Sequence, residues 1–270
     1  MHISIDTQDS FVLIISLHEI EWILYQLNAP VERLPFADTI TFTNFQEAFS
    51  SLKSRGWILS DSSDKVILDV TIAGLVGVLG FSKTALAMDL FHEQSTNGQT
   101  ICYFSAEGLI VEQTPTDNEE IALTALRDLD TLRTRIHEHL GLQDQQAPRK
   151  GAFQCSEEVF ANIPYILAGD SKSAAVTQLM QLGAEERFAD DLVGAMASPL
   201  QQATLQVVRL DPEHPDGVRI IGKLTLIEGL YGLWMLVSRL EENNPTIEII
   251  PCDAVQAQKS IDEFLKVLVS

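Results

Sequence analysis

The stretch Leu75–Leu90, LVGVLGFSKTALAMDL, decides how this chain is read, because Leu192–Val207, LVGAMASPLQQATLQV, repeats its plan. Leu75, Val76 and Gly77 fall on Leu192, Val193 and Gly194, 117 positions further on. Each copy reads as the end of an apolar helix, a breaker turn and an alternating strand. The turns are Gly80-Phe81-Ser82 in the first copy and Ser198-Pro199 in the second. A unit that recurs with its neighbours in order predicts an internal duplication.

Working outward through the first half, Phe11–Ser16 predicts a strand. His18–Asn28 predicts an amphipathic helix with Ile20, Ile23, Leu24 and Leu27 at helical spacing. Val31–Phe36 carries Pro35 and reads as a loop. A helix capped by Thr43 or Asn44 runs through Lys53 and stops at Gly56. Trp57–Leu59 and Val66–Leu68 flank a polar turn and predict a hairpin. Val70–Leu79 is the repeated helix. Thr84–His92, Gln99–Ser105 and Leu109–Thr114 predict a three-strand meander. Thr116–Leu140 reads as one long helix, with Asp117, Glu119 and Glu120 in its first turn and Arg133, Arg135, His137 and His139 near its last.

Gln143–Gly151, QDQQAPRKG, has the composition of a linker and falls at the expected seam, giving halves at residues 1–142 and 152–270 that together form one compact domain. The second half predicts helices over Glu157–Leu167, Ser173–Leu182 and Ala184–Ala197. Strands follow at Ala203–Asp211, Tyr231–Leu240 and Thr246–Ile250, and a last helix runs from Asp253. Matching Asp253 to Asp117 makes the offset 136, which calls for a 19-residue insertion around Leu210–Gly229, with Val218–Ile227 as an extra strand.

Composition excludes several classes of function. The chain has 270 residues, 46% of them hydrophobic, enough for a real core. Its formal charge of −20 opposes sequence-independent nucleic-acid binding and attraction to anionic membranes. The N-terminal apolar run Phe11–Ile15 is too short to span a membrane, and no basic region of a signal peptide precedes it. Cys102, Cys155 and Cys252 make no CxxC pair and read as reduced thiols of a cytoplasmic protein, although a Cys102–Cys252 bridge stays open.

No motif supplies chemistry. His137 and His139 are two apart on a helix and point different ways, so they are not a metal pair. Gly80–Thr84 lacks the second glycine of a nucleophile elbow, and Ser50–Lys53 has the S-x-x-K spacing without its partner motifs. Gly169–Ser173 lacks the phosphate-loop spacing. No metal and no cofactor are expected. The helix over 44–53 followed by a hairpin is the tail of a winged-helix pattern, but it carries one lysine in acidic surroundings, so DNA reading is disfavoured. An enzyme whose site assembles only in the fold stays open.

Ile15–Phe36, ISLHEIEWILYQLNAPVERLPF, together with Leu52-Lys53-Ser54-Arg55-Gly56-Trp57, resembles the EspG family of cytosolic chaperones associated with ESX, or type VII, secretion. The likeness covers most of the chain as an order of elements. It implies an α+β fold with a central mixed, largely antiparallel sheet flanked by helical bundles and a pseudo-two-fold duplication. It implies a non-enzymatic protein whose clients are helical PE–PPE pairs, held at the tip of the PPE partner.

For the binding surface, Tyr231–Leu240, YGLWMLVSRL, is the most strand-like run of the second half. Alternation puts Gly232, Trp234, Leu236 and Ser238 on one face and Tyr231, Leu233, Met235 and Val237 on the other. Both faces are apolar, as in a strand covered on two sides. If one face is partly open, Trp234 and Leu236 are the expected anchors for a helical client, with Arg239 as a rim contact for an acidic group.

Overall fold

A computed structural model describes residues 11–29, 45–62, 65–93, 98–116, 120–142, 145–169, 171–210, 218–240 and 245–268. The cap at Thr43 or Asn44, the loop at 31–36, the turn at 94–97, Asp117, Glu119 and the segment 211–217 lie outside these. The strands are β1 (Val12–Ser16), β2 (Ile58–Ser62), β3 (Lys65–Leu68), β4 (Thr84–His92), β5 (Gln99–Ala106), β6 (Leu109–Pro115), β7 (Glu120–Leu126), β8 (Phe153–Ser156), β9 (Gln201–Leu210), β10 (Val218–Gly229), β11 (Gly232–Arg239) and β12 (Thr246–Cys252). The helices are α1 (Leu17–Gln26), α2 (Phe45–Ser54), α3 (Val70–Phe81), α4 (Leu129–Leu140), α5 (Glu157–Phe160), α6 (Ile163–Ala168), α7 (Lys172–Gln181), α8 (Glu186–Ala197) and α9 (Ala254–Leu265). The fold is α+β, and its ten-stranded sheet has the order β1-β7-β6-β5-β4-β9-β10-β11-β12-β8, with β2 and β3 as a separate hairpin. Every described register is antiparallel.

The chain divides into two compact units. The first comprises Met1–Ala87, Thr100–Leu132 and Val208–Arg219. Its core gathers Ile15, Ile20, Ile23, Leu24, Leu52, Ile72, Leu75, Val76, Leu79, Phe104, Val111 and Leu123. The helix α3 is apolar on all sides and is correspondingly buried over most of its length. Asp69 caps it, accepting from the backbone N–H of Thr71 and Ile72 at 2.8 and 3.2 Å. Gly80 lets α3 approach the chain at Ala29, whose methyl group a Cβ at that position would strike.

The second unit comprises Met88–Gln99, Arg133–Val207 and Ile220–Ser270. Here β11 separates two layers. Trp234 and Leu236 pack with Ile227, Ile247 and Ile249 beneath α5 to α8. Leu233 faces the other way, beside Leu226, Leu140 and Leu142. On that second side α9 meets α4, where His137 Nε2 lies 3.1 Å from Asp262 Oδ1. Both faces of β11 are therefore covered, which explains the absence of a polar face in its sequence.

The structure corrects the long helix expected over Thr116–Leu140. Its first part is the strand β7, and only Leu129–Leu140 is helical. Glu120–Leu126, EIALTAL, is rich in helix formers, but it pairs with β1 on one side and β6 on the other. Two ladders of backbone hydrogen bonds outweigh a weak local propensity. The cap of α4 is Asp128, which accepts from the backbone N–H of Thr131 at 2.8 Å; that hydrogen bond holds its carboxyl below the usual range.

With β7 in place, the 19-residue insertion is not needed. Four strands separate α3 from α4, and four separate α8 from α9, and β10 comes second of its four as β5 does. The short strand β8, which the sequence reading missed, occupies one end of the strand order as β1 occupies the other.

The expected linker is also held in place. Gln146 O accepts from the backbone N–H of Leu233 at 3.2 Å, Gln145 O accepts from that of Ala254 at 3.1 Å, and Arg149 pairs with Asp191. Gly232, at φ 141°, allows the close pass of this strap, because a Cβ there would strike the Gln146 carbonyl.

Candidate functional site

Inside the second unit, α5, α6, α7 and α8 cover the β11 and β12 end of the sheet face and leave β9 and β10 open. The result is a cleft of about 1160 Å³. Its apolar wall includes Phe160, Pro164, Leu167 and Met196, and Ile227, Leu236 and Ile247 form the deep end. Its floor is polar because alternation on β9 points Gln202, Thr204 and Gln206 into it, while Ala203, Leu205 and Val207 are buried on the opposite face. Lys223 and Thr225 of β10 continue the floor. The two threonine hydroxyls meet across the strands, Thr204 Oγ1 to Thr225 Oγ1, at 3.2 Å.

Four charged residues line the cleft, and they balance: Asp89 and Glu157 against Lys172 and Lys223. In a chain of net charge −20, this cleft is a locally neutral surface. Ser238 Oγ donates to Glu157 Oε1 at 2.8 Å. Tyr165 lies at the rim with most of its ring in solvent. A smaller hollow of about 810 Å³ lies within the first unit, between Gly74, Gly77 and Phe81 of α3 and the β5–β6 turn.

The three residues expected to bind a partner lie in different settings. Trp234 is only 1% exposed and packs against the edge of Phe188, with ring centroids 5.1 Å apart. It lies behind the cleft wall and presents no surface to a partner. Leu236 is buried and forms part of the cleft's deep end. Arg239 has a side chain 58% exposed and donates from Nη2 to Glu248 Oε2 at 2.7 Å. Sequence reasoning missed the polar floor on β9, although the pattern QQATLQVV already alternates polar with apolar.

The arrangement offers little for covalent chemistry. Among the described residues no three His, Cys, Asp or Glu side chains converge in a way that could hold a metal ion. None of the three cysteines forms a disulfide, and all three are buried. Burial pushes the Cys155 thiol up to about 11 and the Cys252 thiol up to about 12, the latter with help from the Asp253 charge, so both are weak nucleophiles. Helix α2 and the β2–β3 hairpin do form in sequence, but Lys53 lies over the Phe49 ring and Arg55 is engaged by Glu19. Two cations on that element are thus already committed within the protein. Among the described residues no helix is long and apolar enough to cross a membrane.

These features define an α+β protein with a long antiparallel sheet and a helix-walled cleft on one unit. No protein-family model matches the sequence, and no curated protein matches it. Among solved structures, the chain is similar to the Mycobacterium tuberculosis type VII secretion system chaperone EspG5, determined in complex with a PE25–PPE41 dimer. The TM-score is 0.65 at 11% identity, over 92% of this chain and 93% of that one. At that identity the likeness is one of fold, and the fold is EspG-like.

Proposed function

We propose that this protein is a non-enzymatic, chaperone-like binding protein that holds a helical protein client in the cytoplasm, and that the client docks in the cleft of the second unit. The observation that carries this reading is the cleft itself: an open, charge-balanced hollow with an apolar wall and a floor of hydrogen-bonding side chains, in an otherwise acidic chain. Such a mixture suits an amphipathic helix end, which buries its apolar side on the wall and pairs its polar side with the floor. The likeness of fold to a chaperone solved with the PE25–PPE41 dimer supports a protein client, of PE–PPE-like character by resemblance. Leu236 contributes to the deep end of this site and Trp234 supports it from behind, while Arg239, paired with Glu248 on the other face of the sheet, is a contact outside the cleft in this reading. Neither a nucleic acid nor a membrane is a partner in this reading.

The test is affinity purification from the source cells, with bound proteins identified by mass spectrometry. It is repeated with a variant whose cleft mouth is filled, Ala161→Trp with Ala168→Trp. A helical protein retained by the wild type and lost from the folded variant supports the reading. Retention by both, or by neither, sinks it.

We further propose that residues 1–142 and 152–270 are two halves of an internal duplication. In support, each half runs through an outer strand, helices, a buried helix carrying Leu-Val-Gly, four antiparallel strands and a closing helix. Superposing β4 to α4 on β9 to α9 tests this, and a poor fit of the two segments would refute it.

A further inference from the structure

We propose that the helix end taken by the cleft is uncharged at its tip, and that the amide and hydroxyl groups of the floor read it; this rests on the client-binding reading above. The observation is how the cleft's polar groups are already used. Its charges are matched two against two, and the pair on the floor is engaged internally. Glu157 Oε1 accepts Ser238 Oγ at 2.8 Å and has Lys223 Nζ at 4.0 Å, with the Glu157 side chain 22% and the Lys223 side chain 37% exposed. Asp89 has an interaction of its own, and Lys172 lies exposed as the first residue of α7. The uncharged groups are used far less. Gln202 and Gln206 are half-buried and make no hydrogen bond among the described residues. The Thr204 and Thr225 hydroxyls share one bond between them, which leaves one hydroxyl hydrogen over.

That pattern dictates what the occupant carries. A carboxylate at the tip would take Lys223 from Glu157 and leave two carboxylates facing each other as water is expelled. A cationic tip would take Glu157 from Lys223 and leave two cations in the same position. Either way a partly buried pair is broken and a charge is left uncompensated, which is strongly unfavourable. A wholly apolar tip is disfavoured for another reason, since it strips water from Gln202 and Gln206 and gives their amides no partner. The floor's amides and hydroxyls each donate and accept, so they fit groups that do the same. These are Asn, Gln, Ser and Thr side chains, and the orphan backbone N–H and C=O groups of a helix end. The spacing agrees. Four residues of strand set Gln202 and Gln206 about 13 Å apart, and a helix with its side chains is about 10–12 Å across. An end seated over Thr204 has one glutamine amide at each side and turns its apolar flank toward Phe160 and Met196.

The experiment uses a displayed library of helical hairpins with randomised tips, selected on the full-length protein. Each selected hairpin is measured on the wild type and on the filled-cleft variant Ala161→Trp with Ala168→Trp. It is then remade with Asp or with Lys at each tip position in turn, and measured on the wild type, Glu157→Gln and Lys223→Gln. The expected binders lose the filled-cleft variant, carry Asn, Gln, Ser or Thr and no charge at the tip, and hold their affinity as salt rises. On the wild type, the most sensitive tip position should lose about tenfold or more with Asp and with Lys alike. Glu157→Gln, which frees Lys223, should restore the Asp form alone, and Lys223→Gln should restore the Lys form alone. Cleft-dependent binders with charged tips, or ones that tolerate Asp or Lys at every tip position on the wild type, overturn the uncharged-tip assignment and leave the cleft as the docking site. The wild-type measurements decide this whether or not the glutamine variants fold. A library that yields no binder, or only binders indifferent to the filled cleft, overturns the docking reading itself.

Discussion

Arg55 Nη1 lies 3.0 Å from Glu19 Oε2, and the Glu19 side chain is only 4% exposed. The same carboxylate closes the capping box of α1, taking the Ser16 backbone N–H at 3.0 Å, and its other oxygen accepts Ser51 Oγ at 2.8 Å. Arg55 meanwhile lies 4.2 Å over the Trp57 ring. This cluster ties the start of α1 to the end of α2. Arg55→Met leaves a buried carboxylate without its counter-charge and is expected to cost about 2–3 kcal/mol, at the lower end for such pairs because three other donors remain. Urea unfolding measures it. The double variant with Glu19→Gln should cost less than the two single changes added together, because the unpaired charge is gone. Strict additivity would mean that the pair is not coupled.

The same residues show what a sequence reading recovers. Most of the elements, the Leu-Val-Gly helices and the antiparallel meander of β4 to β6 were legible because alternation and apolar runs are local signals. Arg55-Gly56-Trp57 stood out as a pattern, yet its chemistry was hidden, since its partner Glu19 lies 36 positions earlier. Likewise β7 was misread because Glu120–Leu126 is locally helix-like and becomes a strand only through its two neighbours. The cleft was invisible for a related reason. Its floor belongs to β9 and β10 and its wall to α5, α6 and α8, and only the topology brings those segments together. The choice of Trp234 followed from its size, whereas its exposure is set by Phe188, a residue 46 positions earlier.

Trp234→Ala removes the largest fully buried side chain of the second unit's core. A loss of about 3–5 kcal/mol is expected from lost transfer energy and the cavity left beside Phe188. Circular dichroism with chemical denaturation checks this. Trp234→Phe keeps most of the volume and should cost clearly less. An alanine variant as stable as the wild type would contradict the core placement of this ring.

The buried thiols set a pH dependence. An unfolded chain ionises its cysteines above about 8.5. In the folded protein burial holds Cys155 to about 11 and Cys252 to about 12. Between those values the native state binds more protons than the unfolded one, so stability falls as pH rises. The contribution is fully present below the unfolded value and is lost as pH climbs through the folded ones. At pH 8 the native protein should react slowly with a thiol reagent at Cys155 and Cys252, and rapidly at all three cysteines once denatured. Rapid native labelling of Cys252 would show that its site opens to solvent.

Arg239 separates stability from binding. Its pair with Glu248 is largely exposed, and such pairs contribute about 0–1 kcal/mol. Arg239→Ala should therefore leave the unfolding midpoint almost unchanged. As an exposed cation outside the cleft it should act on a client with acidic groups mainly through the association rate, and more strongly at low salt. Stopped-flow or surface-based kinetics with an isolated client at two salt concentrations gives the answer. A slower association at low salt, with dissociation little altered, places Arg239 on the client's approach path. A markedly faster dissociation at both salts would instead make it a buried contact of the complex. Unchanged kinetics would remove it from the interface and leave Leu236 as the one residue of the original trio that lines the proposed docking cleft.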